Sequence, residues 1–265
     1  MVPENIKNKL ESIYSLYHDP AYLSMDPLQC VHSFESGSQK EIAGLICAVL
    51  AYGRFEIIIR NCNRVFEIMN RKPVEFVRET GFKEKLSLLN GFKHRFNDGF
   101  DIALLLESVG EIINEYGSIE TFFKSFHKDE QYFKVTISMF IQEMRSRASK
   151  ICGFRKKSFE YLFPSPQSGS ACKRMNMYFR WMIRKDDGID LGIWKNLPSS
   201  MLIIPVDTHI AQTARKFGLS KRKSVDWVMA EEITLKLREV DYEDPVRFDF
   251  SLCREGMVNF RKDAA

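Results

Sequence analysis

Two residues in this chain have the type and setting for covalent chemistry, Lys173 and Asp207. Lys173 opens the apolar-periodic run KRMNMYFRWMIR, one residue after the loop FPSPQSGSA at 163–171. At about 100° per residue, Lys173, Asn176, Met177, Arg180 and Arg184 share one stripe, while Met175, Tyr178, Phe179, Met182 and Ile183 form an opposing face that has to be core. A lysine in the first helical turn sits at the positive end of the backbone dipole, here with Arg174 beside it, so it is expected to ionise less readily than a free lysine. An amine that sheds its proton near neutral pH is a nucleophile. An exposed surface lysine is the plainer alternative. Asp207 lies in MLIIPVDTHIAQTARKFGLS, where a buried apolar stretch passes through Pro205 into a helix that stops at Gly218. It is placed to cap that helix, and a capping carboxylate accepts backbone N–H groups that keep it ionised and fixed in direction.

Helices have to position this pair, because apolar residues recur at helical spacing almost everywhere and strand-type alternation is scarce. The expected class is all-α. The periodicity predicts helices over 6–17, 39–52, 56–69, 73–80, 102–116, 119–126, 132–148, 173–184, 209–217, 224–239 and 245–259. Gly53, Gly81, Gly117 and Gly218 mark stops, and Ser118, Ser224 and Asp244 read as N-caps, the last followed by Pro245 at the first helical position. The chain's formal charge of +4 is unevenly spread. Between Arg145 and Lys185 eleven bases face the single acid Glu160, a net of +10 that leaves −6 for the rest. Positive charge gathered in one stretch suits a polyphosphate ligand, although a solvated basic surface would give the same count.

Several classes fall away. At 265 residues, 45% hydrophobic and 28% charged, with 14 Gly and 9 Pro, the composition is that of a globular chain. The longest apolar run, Ile42 to Tyr52, is far short of the ~20 residues that span a bilayer. The start carries acids among its bases, unlike a secretory signal, and a cytoplasmic location is expected with no membrane partner. The six cysteines, Cys30, Cys47, Cys62, Cys152, Cys172 and Cys253, are scattered without a C-x-x-C pair and read as buried free thiols. The five histidines are equally dispersed, so no metal site and no cofactor are expected.

The segment Pro205-Val206-Asp207-Thr208-His209-Ile210, with Ala214-Arg215 and Gly218-Leu219 behind it, resembles the P-V-D-T-H segment of the helix-hairpin-helix DNA glycosylase superfamily, the group that includes endonuclease III. Gly169, Lys173 and Asn176 resemble three positions of that superfamily's G-x-G-x-K-T-A-N signature. The whole chain is also similar to a widespread bacterial family of unknown function that shares A-Y-G-R at 51–54, C-K-R-M-N at 172–176, P-V-D-T-H, and D-P-V-R-F-D-F at 244–250. Ala171 replaces the signature's second glycine, and Pro166-Gln-Ser stands where the usual L-P-G approach would be. The 34-residue step from Lys173 to Asp207 is closer to archaeal 8-oxoguanine glycosylases than to endonuclease III. Lys185 is a rival by spacing, but Asp186 and Asp187 beside it favour a solvated ion pair. Only Cys253 follows Asp207, so no iron–sulfur cluster is expected.

The resemblance implies a bilobal helical fold with an altered hairpin, one lobe at 39–204 and the other at 1–38 plus 205–265, with duplex DNA and the catalytic pair at the cleft between them. It implies a monomeric base-excision glycosylase with AP-lyase activity that removes a damaged base, with oxidised purine the guess. Lys173 would be the Schiff-base nucleophile and Asp207 the carboxylate that stabilises an oxocarbenium-like centre. Tyr52 and Arg54 would enter the vacated stack, and Arg174, Asn176, Arg180, Arg184 and His209 would contact DNA. The alternatives are a nucleic-acid-binding module on the same fold without chemistry, and a helical scaffold whose basic face meets an acidic protein.

Overall fold

The computed structural model describes residues 1–127 and 133–263, with side chains up to 258. It is predominantly helical, as expected. In chain order the first helices are α1 (Glu4–Tyr17), α2 (Leu28–His32), α3 (Gly37–Leu50), α4 (Phe55–Ile68), α5 (Pro73–Glu79) and α6 (Phe82–Leu88). A two-stranded hairpin, β1 (Lys93–His94) and β2 (Asn97–Asp98), then leads into α7 (Gly99–Tyr116), α8 (Ile119–Phe126), α9 (Phe133–Cys152) and α10 (Lys157–Leu162). The last four are α11 (Lys173–Ile183), α12 (Thr208–Lys216), α13 (Trp227–Arg238) and α14 (Asp249–Asp263). The short α2, α6 and α10 were not anticipated, since one or two turns carry too few apolar repeats to register as a period. The expected start of α9 at Tyr132 lies outside the described residues.

The chain divides into two compact units, a central one (Met25–Ser165) and a terminal one (Met1–Ser24 with Pro166–Ala265). The division therefore falls at 24/25 and 165/166, not at the expected 38/39 and 204/205. Residues 25–38 go with the central unit because α2 packs on α3. Residues 166–204 go with the terminal unit because α11 is bonded to its acids, as described below.

The central unit is built around α7, which is apolar on nearly all sides and is covered by α5, α6, α8 and α9. Its start is closed by a capping box in which Asp98 accepts the Asp101 N–H and Asp101 accepts the Asp98 N–H. Gly117 ends it in the left-handed region. Gly110 lets α5 approach closely, since a Cβ there would lie 2.3 Å from the Val77 carbonyl oxygen. Buried Glu41 of α3 accepts the N–H groups of Ile119 and Glu120, so a side chain from a distant helix caps α8 together with Ser118.

In the terminal unit α12 and α1 both pack on α14. Two expected helix starts are corrected. Asp226, not Ser224, caps α13 by accepting the Met229 N–H. Asp244 begins a turn over 245–248, and α14 starts only at Asp249, because the Asp244 carboxylate is engaged by Arg184 instead of by a helix N-terminus.

Candidate active site: a lysine–aspartate pair

The loop before α11 is closed by its own polar groups. The Cys172 N–H donates to Ser170 Oγ (3.1 Å), Asn176 Nδ2 donates to the Ala171 carbonyl (3.1 Å), and Gly169 accepts the Trp227 N–H (3.1 Å), tying the loop to the start of α13. Cys172 itself sits at φ +50° and turns the chain into the helix. These constraints aim Lys173 at Asp207. Its Nζ lies 3.3 Å from Asp207 Oδ2, while Asp207 Oδ1 accepts the Ile210 N–H at 2.9 Å as the N-cap of α12. Both side chains keep contact with solvent, 36% for Lys173 and 20% for Asp207. They belong to the same unit and form a direct ion pair, where opposite lobes had been expected.

The electrostatics reverse the expectation for Lys173. Burial works against its charge, but the Asp207 carboxylate, aided by Asp249, more than offsets this and holds the ammonium above the ordinary lysine range. A full negative charge in contact outweighs the fractional charge of a helix end. Burial would likewise raise Asp207, yet the Lys173 ammonium, the Ile210 N–H and the neighbouring His209 bring it below the usual carboxylate range.

Two further groups on α14 face the pair, and sequence reasoning missed both. Asp249 and Cys253 are one helical turn apart and therefore share a face. Burial pushes the Asp249 carboxyl up to about 6, with the Arg180 guanidinium opposing and the Asp207 charge adding to the rise. Burial and the Asp207 charge push the Cys253 thiol up to about 12. The available signal was the i, i+4 spacing behind the shared D-P-V-R-F-D-F run. Gly256, one turn further, lets α14 lie against His209, whose Cβ would be 3.0 Å from a Cβ at that position.

The expected phosphate-binding stripe of α11 is not at the surface. Every residue from Arg174 to Ile183 is buried, including Asn176, whose amide serves the loop closure just described. Arg180 donates from Nε to Asp190 (3.1 Å) and from Nη1 to Asp249. Arg184 donates from Nε to both oxygens of Asp244 (3.0 and 2.9 Å), from Nη1 to Asp190, and lies 3.0 Å from Asp187 through Nη2. Arg180 and Arg184 are consumed by acids of their own unit and Arg174 and Asn176 are buried, so all four are corrected from DNA contacts to interior residues. Half-buried His209 remains beside the pair. Tyr52 and Arg54 lie in the central unit, Tyr52 half-buried with its hydroxyl donating to Asn97 Oδ1 at 2.5 Å, Arg54 exposed at the start of α4.

All six cysteines are free thiols, four of them buried, with Cys152 and Cys253 only partly so. Among the described residues no group of three or more His, Cys, Asp or Glu is placed to hold a metal ion. Nor is any helix there long and apolar enough to cross a membrane. No curated protein and no solved structure matches the chain. A family model does match residues 26–258, spanning the A-Y-G-R, C-K-R-M-N, P-V-D-T-H and D-P-V-R-F-D-F runs, and the chain belongs to the family described as "Protein of unknown function (DUF2400)".

Proposed function

We propose that Lys173 and Asp207 are the nucleophile and the charge-stabilising carboxylate of a DNA base-excision enzyme with lyase activity. The observation that carries this reading is an amine 3.3 Å from a carboxylate that a helix N-terminus fixes in direction, both reachable from solvent. Asp207 stabilises the positive charge that builds at C1′ as the bond to the damaged base breaks and the base leaves with the bonding electrons. Lys173 resides as an ammonium, so its proton has to pass to Asp207 or to the departing base before the amine bonds to C1′. The ring then opens as O4′ takes a proton from the C1′-bound nitrogen, which gives an iminium, and transfer of a C2′ proton to a carboxylate or to solvent expels the 3′-phosphate with the C3′–O bonding electrons. Oxidised purine in a duplex is the substrate class the sequence resemblance points to.

Borohydride reduction tests the step. A wild-type protein that forms the iminium becomes covalently fixed to an oligonucleotide carrying 8-oxoguanine or an abasic site, and Lys173→Gln does not. The second reading, a binding module without chemistry, is favoured by one observation, the stabilised ammonium in a closed ion pair. Binding without trapping at any pH between 6 and 9 would select it.

A further inference from the structure

The A-Y-G-R run at 51–54 belongs to the central unit, where it supports the β1–β2 hairpin. His94 pairs with Asn97 and Lys93 with Asp98, leaving Arg95 and Phe96 as a two-residue turn. Arg95 stands at φ +53°, a region where glycine or asparagine would be the unstrained choice. Gly53 makes room for it, since a Cβ there would meet Arg95 Cδ at 2.9 Å. A buried network holds the hairpin's base. The Asn61 amide donates to His94 Nδ1 (2.8 Å), His94 Nε2 pairs with the Tyr52 carbonyl (3.1 Å), and the Asn97 amide donates to Asp101 Oδ2 (2.9 Å) and the Ser158 carbonyl (2.6 Å). A rigid, fully bonded base under a strained tip is an arrangement for presenting side chains.

What the tip presents is aromatic and cationic. Phe96 is 59% exposed and Tyr161 of α10 is 42% exposed, their rings 5.2 Å apart, with Tyr161 propped in turn on Tyr52 at 5.2 Å. The Arg95 guanidinium lies 5.5 Å from the Phe96 ring. Exposed Lys93 and Arg54 flank the turn, and exposed Lys157 stands one helical turn before Tyr161 on the same face of α10. Two contiguous exposed rings, with Arg95 against one of them and exposed Arg54, Lys93 and Lys157 on the 51–54 run, the hairpin and α10, match a ligand with flat apolar faces on a polyanionic backbone.

We infer that the hairpin tip is a base-stacking platform for single-stranded nucleic acid, with Phe96 and Tyr161 under the bases and Arg54, Lys93, Arg95 and Lys157 along the phosphates. The choice of nucleic acid as occupant rests on the proposed function. The test is titration of the full chain into a dT oligonucleotide with one central 2-aminopurine, at low salt. Wild-type protein is expected to bind and change the 2-aminopurine emission, Phe96→Ala to bind about 5- to 150-fold more weakly, and Phe96→Trp to bind as wild type. Phe96 is largely in solvent, so its truncation leaves the fold intact, which circular dichroism checks. Unchanged affinity in Phe96→Ala overturns the platform, as does absence of binding by the wild type. A change confined to self-association in sedimentation would overturn it in favour of a protein interface. Borohydride trapping is read separately, so a platform that binds without trapping stands while the chemistry fails, and trapping with an indifferent Phe96 does the reverse.

Discussion

Arg184 offers the sharpest check on the charge arrangement around α11. It is 1% exposed and meets three carboxylates, Asp187, Asp190 and Asp244. Burial works against its guanidinium charge, and those carboxylates more than offset it. Arg184→Met keeps an unbranched stem and most of its apolar contact while removing the cation. Asp187 retains His18 at 2.9 Å and Asp190 retains Arg180, but Asp244 is left without its main partner. Removing one member of a buried ionic cluster costs about 3–5 kcal/mol. With about 2–4 °C per kcal/mol for a domain of this size, the melting temperature at pH 7 should fall by about 6–20 °C. The loss should also depend on pH. Asp187 is held well below the ordinary carboxylate range, burial opposing and the His18 bond and Arg184 prevailing, so its stabilisation is present above about pH 4 and fades as pH falls. In the variant, burial acts on Asp187 and Asp244 without Arg184, their carboxyls rise, and protonation relieves the uncompensated charge. The gap between the two proteins, read as denaturant midpoints, should therefore narrow from pH 7 to pH 5. A loss under about 1 kcal/mol, as for an exposed cation, or a gap that does not change with pH, refutes this reasoning.

Three other outcomes follow from the geometry. Lys173→Gln should abolish borohydride trapping and strand nicking, whereas Asp207→Asn, which keeps a competent cap, should slow base release by about 100-fold or more with little loss of stability; lesion activity retained in both would remove the pair from catalysis. Asp249 at about 6, against 3.8 for an ordinary carboxylate, means that its contribution is favourable below about pH 4 and is lost as pH rises through 6, by about 3 kcal/mol; Asp249→Asn should flatten that part of the pH–stability curve measured in urea. Gly110→Ala should destabilise the central unit by about 1–3 kcal/mol despite alanine's better helix propensity, because its Cβ would press on the Val77 carbonyl; an equal or higher midpoint would show that α5 yields there.

Apolar period alone located the long helices, and α8 at Ile119–Phe126 falls where Ser118 and the spacing of Ile119, Phe122 and Phe123 put it. The same method failed inside α11. Arg180 and Arg184 lie on one stripe, as the wheel says, but polarity does not distinguish a solvent face from a face buried against acids. Those acids, Asp190, Asp244 and Asp249, lie up to 69 residues away in the chain. Asp207 as a cap was legible from its place before an apolar period, and Lys173 as its partner from the motif. The charge state of Lys173 was not legible, since it depends on whether the helix end or the carboxylate prevails, and only the 3.3 Å separation decides that. Asp249 was hidden because Asp244 and Pro245 looked like the cap and first residue of a helix that in fact begins four residues later, at Asp249.

The basic stretch from Arg145 to Lys185 also changes meaning once its partners are visible. Eleven bases on a surface would give a salt slope of about −10 for nucleic-acid binding, at about −0.9 per neutralised phosphate. At least six of them, Arg147, Arg155, Lys156, Lys173, Arg180 and Arg184, are paired with acids in the fold. Arg145 donates to the carbonyls of Glu160 and Phe163, and Arg174 is buried. Lys150, Lys157 and Lys185 remain exposed, enough for a slope of about −3. Most of the positive charge that looked like a polyanion site in the sequence is therefore balanced by the fold's own acids, with Arg180 and Arg184 buried and Arg155 paired at the surface. Any strong salt dependence has to come from cations outside the stretch, and Arg54, Lys93 and Arg95 around the hairpin turn are three of those.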